Sequence, residues 1–472
     1  MTIKILFVYP NINGIRRIPL GISILSACAK KAGHIVELFD GTFYKKTDFE
    51  NERRENLGIV KKVDLSRKYS YIPSARLKSD FKKRVQDFKP DLIAISLLQD
   101  EYYLAQKILA GVKKDTKAFI VAGGVMPTLA PVAVLKGLEV DAVMIGEGED
   151  ALVKLADNIA NDRNPFATPN LAYLVNSELR RNELAPMVDL NDLPFYDYSI
   201  FSTEHLWKPF IGRSWRTGYI ELTRGCPFSC SFCANPTLNN MYQQQIRIRS
   251  KRIDRFMAEA QTLKDKYKLE LFAFNDENFL FVKDLKEFTV KWNQMIKLPF
   301  IIQTRVETIS LEKLELLKKA GCITISIGIE SGDEQFRHEV LNRRYSNKQL
   351  KQAFLDCHTV GIRSTANNMI GFPDETEEQI KQTIKLNREC SPDSLTTAIF
   401  APYLGCTLQQ KCVQKGLIAE GVLKADIPTY KSSLNFSPAH KEMISYYFRN
   451  FQKLVFSKKE ISYKKAEKDF NQ

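Results

Sequence analysis

Three cysteines stand close together in the segment "ELTRGCPFSCSFCANP", residues 221–236. They are Cys226, Cys230 and Cys233, so the spacing is Cys-x-x-x-Cys-x-x-Cys. Thiolates at such short spacing are ligands for zinc and for iron–sulfur centres. The chemistry that this segment offers is therefore metal binding, and the number of thiolates decides between the candidates.

A structural zinc site closes with four ligands, and this segment supplies three. The next cysteine downstream is Cys322, and His205 lies upstream, beyond a turn-rich stretch. A disulfide would leave one thiol over and is disfavoured in a reducing compartment. A 4Fe-4S cluster fits better, because thiolates are its natural ligands. Three of them leave one iron open to a small chelating molecule.

The composition of the whole chain is that of a globular protein with two or three domains. It has 472 residues, of which 44% are hydrophobic and 26% are charged. The first residues do not resemble a signal peptide, and no apolar run is long enough to span a bilayer. We therefore expect a cytoplasmic protein with reduced thiols.

The net charge is +14, and much of the excess lies in residues 45–89 and 458–468. A solvated lysine-rich surface explains this charge with the fewest assumptions. Nucleic acid, an anionic membrane and an acidic substrate are the alternatives.

The elements that must position the chemistry begin with five apolar runs in residues 1–160. The runs are "IKILFVYP", "HIVELFD", "DLIAISLL", "AFIVAGG" and "DAVMIGEGE". Helical patterns separate them, which predicts a doubly wound parallel (Rossmann-like) sheet with ligands at the carboxyl ends of its strands. Glycines follow several of these runs and would let a backbone approach a flat ligand closely. Tight turns are the alternative explanation, and the missing Gly-x-Gly-x-x-Gly pattern disfavours a dinucleotide.

The rest of the chain divides into three parts by pattern. Residues 161–215 are acidic, aromatic and turn-rich, and we predict a linker there. Residues 216–403 show six consecutive β/α units, which predict a partial (β/α)6 TIM-like barrel. Residues 404–472 predict a small helical C-terminal region. The cysteines directly follow the first strand of the barrel, at the end where barrels carry their chemistry.

The cysteine motif, its place in the β/α pattern and the aromatic Phe232 before the third cysteine resemble the radical S-adenosylmethionine (SAM) superfamily. The resemblance covers residues 219–403. It implies that Cys226, Cys230 and Cys233 hold a 4Fe-4S cluster whose open iron chelates SAM. It also implies that one electron cleaves SAM to methionine and a 5′-deoxyadenosyl radical, which abstracts hydrogen from a substrate carbon.

Further motifs carry this resemblance at successive strand ends. "FNDENF" stands at the SAM amino-group motif, where only Glu277 matches the commoner Gly-Gly-Glu directly. "IIQTRVE" faces the SAM carboxylate, "IGIESGDE" resembles the ribose motif, and "MIGFPDET" resembles the glycine motif near adenine. A rim ion pair is the alternative for each charged residue alone. The implied SAM contacts are Phe232, Asp276, Glu277, Gln303, Arg305, Glu330, Ser331, Ile370 and Gly371.

Residues 1–155 resemble the cobalamin-binding domain that precedes many radical SAM domains, through "PLGISILSACAKKAGHIVELFD", "AGGVMPTLAP" and "DAVMIGEGEDAL". The usual Asp-x-His-x-x-Gly motif is missing, and His34 is the one histidine in this part of the sequence. We therefore expect cobalamin without a protein histidine below cobalt, or else loss of the cofactor. The implied cobalamin contacts are Asn11, Ile12, Gly14, Leu20, Gly21, Ser96, Leu97, Gly123, Gly124, Val125, Thr128, Gly146, Glu147 and Gly148.

The resemblance implies methylation of an unactivated carbon in a small-molecule or lipid substrate, with a reductant such as flavodoxin or ferredoxin. Radical cyclisation or rearrangement, with or without cobalamin, is the alternative. An RNA methylthiotransferase is disfavoured, because Cys28 stands alone before Cys226 where that family has a further trio. A non-catalytic sensor would not need the SAM motifs, and nucleic acid is not an expected partner.

The C-terminal region adds two cysteines and an amphipathic segment. We interpret Cys406 and Cys412 as packed or free thiols. The segment "EMISYYFRNFQKLVF" has apolar residues at helical spacing, and packing on the barrel is its default role. Lining of the substrate site and peripheral membrane contact are the alternatives.

Overall fold

The computed structural model describes residues 1–11, 17–44, 52, 55–56, 62–65, 68–242, 248–421 and 431–457. The chain divides into two compact units. The first comprises Met1–Glu52, Val63–Trp215 and Thr237–Ile246, and the second comprises Arg53–Lys62, Arg216–Pro236 and Arg247–Gln472.

The first unit is built on five parallel strands, which confirms the doubly wound sheet. They are β1 (Lys4–Tyr9), β2 (Ile35–Asp40), β3 (Leu92–Ser96), β4 (Phe119–Gly123) and β5 (Ala142–Met144). Their order is β2-β1-β3-β4-β5, so the chain reverses direction across the sheet after β2. Successive residues of β1 and β3 are buried, which requires cover on both faces and explains the unbroken apolar runs.

Helices connect these strands. In the first unit they are α1 (Leu20–Lys31), α2 (Leu77–Phe88), α3 (Tyr102–Leu109), α4 (Val125–Leu129), α5 (Pro131–Gly137) and α6 (Glu149–Ala160). A short helix, α7 (Asn235–Met241), begins directly after the three cysteines.

The segment predicted as a linker, residues 161–215, differs from that expectation. It contributes an antiparallel hairpin, β6 (Leu171–Val175) and β7 (Glu178–Arg181), which extends the first sheet beyond β5. Asn176 and Ser177 form its two-residue turn, both with positive φ. Most of β7 is exposed, so this outer strand of the hairpin has no apolar run in the sequence. A last short strand, β8 (Trp207–Phe210), follows.

The second unit carries six parallel strands in the order β16-β15-β14-β13-β12-β9, which confirms the partial barrel. They are β9 (Arg213–Ile220), β12 (Leu271–Phe274), β13 (Phe300–Thr304), β14 (Cys322–Glu330), β15 (Arg363–Ile370) and β16 (Ser394–Ile399). A separate antiparallel pair, β10 (Thr223–Arg224) and β11 (Arg249–Ser250), brackets the cysteine segment.

Helices alternate with these strands in the second unit. They are α8 (Ile253–Tyr267), α9 (Leu285–Lys291), which continues into a π-helical turn (Trp292–Ile296), α10 (Leu311–Lys319), α11 (Glu334–Glu339), α12 (Asn347–Val360), α13 (Glu377–Cys390), α14 (Thr407–Gln414) and α15 (Pro438–Phe456).

The amphipathic C-terminal helix α15 packs its apolar side against α13 and β16. The Tyr447 hydroxyl donates to the Glu377 carboxylate at 2.7 Å, and Arg388 donates to the carbonyl oxygen of Leu454 at 2.9 Å. The basic residues 458–472 lie outside the described residues. Within the described ranges, no helix combines the length and the apolar character that crossing a bilayer requires.

Candidate functional site

The cysteine loop follows β9 in the second unit. Cys226 and Cys230 are buried, Cys233 is half-buried, and none of the three forms a disulfide. The Cys233 amide donates to the carbonyl oxygen of Cys230 at 3.1 Å, which folds the loop back on itself. The pKa of Cys226 is raised to about 11, chiefly by burial and to a smaller extent by charge on Cys230 and Cys233. Crowded thiols of this kind lose their protons when a metal binds them.

Two buried arginines direct their guanidinium groups at one of these sulfurs. Arg305, just after β13, places Nη1 2.7 Å from Cys230 Sγ. Arg343, between α11 and α12, places Nη1 3.9 Å from the same sulfur. The Arg305 guanidinium also lies 3.7 Å from the centre of the Phe228 ring. Cationic donors favour the thiolate form, so this donor set fits an anionic iron–sulfur centre.

Arg343 is held by a buried polar network at the end of β14. Its Nη1 lies 3.3 Å from the Glu330 carboxylate, and its Nε donates to the Tyr345 hydroxyl at 2.8 Å. Its Nη2 donates to the carbonyl oxygen of Gly328 at 3.1 Å. Burial raises the pKa of Glu330, and the charges of Arg343 and Arg305 oppose that shift. Sequence reasoning missed Arg343, although a buried glutamate at this strand end needs a cation nearby.

Three of the predicted SAM residues form hydrogen bonds at the start of the cysteine loop or with one another. Asp276 is buried, and its carboxylate accepts from the Thr223 amide and the Thr223 hydroxyl, each at 2.6 Å. Glu277 accepts from the Gly225 amide at 3.1 Å, and Gln303 donates to the carbonyl oxygen of Asp276 at 2.9 Å. Burial raises the pKa of Asp276 to about 7. Contact of these three residues with SAM stays a prediction.

The remaining predicted SAM residues divide into a polar and an apolar group. Ser331 is buried, and its hydroxyl finds no hydrogen-bond partner within the described part of the chain, so it is available to a ligand. Ile370 is fully buried in β15. Phe232 packs on an apolar cluster that includes Phe372, with ring centres 6.2 Å apart.

Gly371 forms a tight turn at the end of β15. Its φ is 79°, and a Cβ at this position would lie 3.2 Å from Ile444 of α15. Its amide donates to the Glu375 carboxylate at 2.5 Å, and the Phe372 amide donates to the same oxygen at 3.3 Å. Burial raises the pKa of Glu375 to about 8, whereas these two backbone hydrogen bonds lower it. The positive φ at this turn therefore favours glycine, and the space beside Ile444 is tight for a side chain.

In the first unit, six of the predicted cobalamin residues lie at or just after the carboxyl ends of β3 and β4. Ser96 and Gly123 face each other in the strand register. Gly124 has a φ of 107°, and a Cβ there would lie 3.0 Å from the carbonyl oxygen of Leu97. The Thr128 hydroxyl donates to the carbonyl oxygen of Gly124 at 2.8 Å, which joins the turn after β4 to α4.

The loop after β5, Gly146–Glu147–Gly148, is fixed by side chains from other segments. The Gly146 amide donates to the Thr128 hydroxyl at 3.1 Å, and the Glu147 amide donates to the Tyr242 hydroxyl at 2.8 Å. The Asn170 side chain donates to the carbonyl oxygen of Glu147 at 2.7 Å. Tyr242 escaped the sequence reasoning, because it follows the cysteine motif and carries no pattern of the first unit.

Apolar side chains stand exposed beside these glycines. Leu98, after β3, is 44% exposed, and Val125, after β4, is 40% exposed. Bare glycine backbone next to exposed apolar side chains fits a flat ligand with an apolar face, as cobalamin would require.

Five predicted cobalamin residues remain, and the structure describes three of them: Asn11, after β1, and Leu20 and Gly21 in α1. Asn11 is buried and donates to the Thr42 hydroxyl at 2.9 Å. Leu20 is buried in α1, whereas the neighbouring Gly21 is exposed. Ile12 and Gly14 lie outside the described residues.

Two histidines of the first unit make polar contacts with other residues of that unit. His34 precedes β2 at the amino end of the sheet, and its Nδ1 accepts from the Ile3 amide at 3.4 Å. The Nε2 atom of His205 lies 2.5 Å from the Asp40 carboxylate. The Nε2 atom of His205 therefore pairs with Asp40 within the first unit.

Comparison with protein families matches both parts of the chain. The model of the radical SAM superfamily matches residues 220–386, and the model of the B12 binding domain matches residues 16–156.

Curated relatives match most of the chain at low identity. An uncharacterized methyltransferase of Pyrococcus horikoshii is 26% identical over 351 residues, which cover 72% of this chain and 73% of the relative. An anaerobic magnesium-protoporphyrin IX monomethyl ester cyclase of Cereibacter sphaeroides is 27% identical over 68% of this chain. The match spans about half of that cyclase, 53% of its length. The hopanoid C-3 methylase of Methylococcus capsulatus is 23% identical over 82% of this chain and 67% of the relative.

Solved structures share the fold. The radical SAM methyltransferase TsrM of Kitasatospora setae, with cobalamin and a 4Fe-4S cluster bound, superposes with a TM-score of 0.65 at 17% identity. The superposition covers 88% of this chain and 79% of that structure. The cobalamin-dependent radical SAM enzyme OxsB superposes with a TM-score of 0.68 at 15% identity, covering 90% of this chain and 63% of that structure.

Proposed function

We propose that this chain, which belongs to the radical SAM enzymes that carry a B12-binding domain, methylates an unactivated carbon of a small-molecule or lipid substrate. The observation that carries the proposal is the cysteine loop at the carboxyl end of β9. It presents three thiols beside two buried arginines in a chain that also carries a B12-binding domain.

When bound, the cofactors supply the hard chemistry: a 4Fe-4S cluster delivers the electron that cleaves SAM, and cobalamin delivers the methyl group. The chain supplies binding and electrostatics. Cys226, Cys230 and Cys233 would hold the cluster, and Arg305 and Arg343 stabilise negative charge on the Cys230 sulfur.

The SAM molecule would lie against the strand ends of the partial barrel. There the Ser331 hydroxyl offers an unused hydrogen-bonding group, and the turn at Gly371 closes around Glu375. A backbone turn with no side chain lets a flat base approach closely. An external one-electron donor such as flavodoxin or ferredoxin would supply the electron.

The substrate class is taken from what the relatives act on, and it remains a small organic molecule. Their names point to a tetrapyrrole ester, a hopanoid and a phosphonate. A solved structure of TsrM holds tryptophan as its substrate.

The test is anaerobic reconstitution of the full chain with iron, sulfide and hydroxocobalamin, followed by iron and cobalt counts and assay of 5′-deoxyadenosine with SAM and dithionite. We expect about four irons and about one cobalt per chain. The variants Cys226→Ser, Cys230→Ser and Cys233→Ser should each lose the cluster and 5′-deoxyadenosine formation.

Cys322→Ser is the matched control, because Cys322 is buried in β14 and its sulfur donates to the carbonyl oxygen of Thr324. This variant should keep its iron. Retention of iron by the Cys230→Ser protein, or equal loss by the Cys322→Ser protein, would reject the cluster assignment.

Radical cyclisation is the second candidate, favoured by the match to the cyclase over 68% of this chain. SAM labelled with deuterium in its methyl group separates the two reactions. Methylation places the labelled methyl group in the product, whereas cyclisation forms 5′-deoxyadenosine and a product that contains no label.

A further inference from the structure

Tyr242 belongs to the first unit although it follows Cys233 by only nine residues. The segment Thr237–Ile246 groups with the Rossmann-like part of the chain. The side chain of Tyr242 is buried, and it reaches the loop after β5. A residue from the cysteine-bearing stretch of sequence therefore completes the predicted cobalamin edge of the first sheet.

The loop Gly146–Glu147–Gly148 shows why a tyrosine is required. The Glu147 amide donates to the Tyr242 hydroxyl at 2.8 Å. Gly146 has a φ of 76°, and a Cβ there would lie 2.1 Å from the Tyr242 oxygen. The phenol therefore occupies the space that a side chain at position 146 would need, and it satisfies the next backbone amide.

Other polar groups of this loop are held by further residues of the first unit. Thr128 of α4 accepts from the Gly146 amide at 3.1 Å, and Asn170, just before β6, donates to the carbonyl oxygen of Glu147 at 2.7 Å. The Val188 amide donates to the Glu147 carboxylate at 3.0 Å. Tyr242 thus adds a contact to this loop from a position 95 residues further along the sequence.

We propose that Tyr242 is a positioning residue for cobalamin, which holds the loop Gly146–Gly148 in the conformation that accepts the cofactor. This inference rests on the proposed function, because it places cobalamin at these strand ends. Without the phenol hydroxyl, the Glu147 amide loses its partner, and the loop can leave the binding conformation before the cofactor arrives. A ligand that selects one of several loop conformations binds more weakly.

The test compares Tyr242→Phe with Tyr173→Phe in the full chain with its cluster reconstituted. Tyr173 is half-buried in β6, so the control removes the same hydroxyl group from the same sheet. Titration with hydroxocobalamin should show a dissociation constant about fivefold higher for Tyr242→Phe, the loss of about one hydrogen bond. Tyr173→Phe should bind as the unchanged protein does, and iron content should be equal in all three.

Hydrogen exchange of the peptide that contains Glu147 separates positioning from general stability. Its amide should exchange faster in Tyr242→Phe without cobalamin, while peptides of β1 and β3 keep their protection. Equal cobalamin affinity and equal exchange in Tyr242→Phe and the unchanged protein would overturn the proposal. Uniformly faster exchange throughout the first unit would also overturn it, since that outcome means a purely structural role.

The same titration distinguishes a failure of the proposed function from a failure of the proposed role of Tyr242. If the unchanged protein binds no hydroxocobalamin, the cobalt step is rejected and the positioning role of Tyr242 for cobalamin falls with it. If the unchanged protein binds the cofactor and Tyr242→Phe binds it equally well, the proposed function stands and Tyr242 is excluded.

Discussion

The carboxyl ends of the strands carry different kinds of residues in the two units. In the first unit, the edge consists of bare glycine backbone, neutral clamps such as Thr128, and exposed apolar side chains such as Leu98. In the second unit, the edge consists of buried ions, and Arg305, Glu330 and Arg343 converge on the cysteine loop. The first edge suits a large flat ligand that is recognised by shape. The second suits small charged groups that are recognised by charge.

This contrast predicts different weaknesses. A buried charge is stable only with its partner, so removal of one ion should destabilise the second unit strongly. The first edge depends on glycine backbone, so it should fail when a side chain fills the space or changes the allowed φ. Each variant below changes one edge while leaving the other intact.

The largest effect should come from Arg343→Met. This change leaves the Glu330 carboxylate mostly buried without its closest cation, and we expect the free energy of unfolding to fall by about 3–5 kcal/mol. Urea unfolding of the anaerobically reconstituted protein measures it. Arg344→Met is the matched control, because Arg344 is exposed, and it should change stability by less than about 0.5 kcal/mol.

A second variant separates charge from packing in the same network. Glu330→Gln added to Arg343→Met should restore part of the lost stability, because it removes the uncompensated charge. If Arg343→Met alone matched the unchanged protein in urea, the second edge would not depend on buried ions, and the contrast would fail.

Glycine substitutions test the first edge. Gly146→Ala brings a Cβ to 2.1 Å from the Tyr242 oxygen at a positive φ, so we expect a loss of about 1–3 kcal/mol in stability. Gly123→Ala meets only Met144, at 3.7 Å, so the free protein should tolerate it. Both should weaken hydroxocobalamin binding at least about tenfold if the corrin approaches this backbone.

The pair of glycine variants also decides between two explanations for these glycines. A Gly123→Ala protein with normal stability and normal cobalamin affinity would mean that Gly123 does not lie in contact with the ligand. In that case, the glycines after the strands serve tight turns only. The proposal that the first edge recognises a flat ligand by its shape would then lose its main support.

The pH dependence of stability extends the comparison, because each unit buries a carboxyl group whose pKa is raised to about 8. Burial raises the pKa of Glu101 in the first unit and of Glu375 in the second to about 8 in each case, from an ordinary value of 4.5. Between these values the folded state binds more protons than the unfolded state. The stabilisation from both groups is therefore present at low pH and is lost as the pH rises towards 8.

Glutamine keeps the neutral shape at both positions. We expect Glu375→Gln and Glu101→Gln each to flatten the fall in stability between about pH 5 and about pH 8, by on the order of 1–2 kcal/mol. Urea unfolding across this range measures the slope. A slope unchanged in both variants would show that these carboxyl groups do not titrate within it.

The fold could be predicted from the sequence because its signals are local. Unbroken apolar runs marked β1 and β3, and the repeated strand–helix pattern marked the partial barrel. The β6–β7 hairpin escaped prediction, because its outer strand is exposed and carries no apolar run.

The sites could be predicted only in part. Strand-end motifs pointed to Arg305 and Glu330, whereas Arg343 and Tyr242 reach their places through tertiary contacts that no spacing encodes. The sequence also does not predict the direction in which a side chain points. Asp276 stands at a strand end as the motif requires, yet its carboxylate turns inward to Thr223. Local sequence patterns place a residue on a strand or helix, but they do not show which neighbour forms a hydrogen bond or ion pair with its side chain.

The smallest effect should come from Leu98→Ser on the first edge. Leu98 is 44% exposed without a ligand, so its replacement should change the free energy of unfolding by less than about 0.5 kcal/mol. A corrin lying on it would bury that apolar surface, and its loss should then raise the hydroxocobalamin dissociation constant about threefold to fivefold. Leu355→Ser, at a 57% exposed position on α12, should leave binding unchanged. An effect on binding without an effect on folding would identify Leu98 as ligand-facing surface, since a structural leucine would show the reverse.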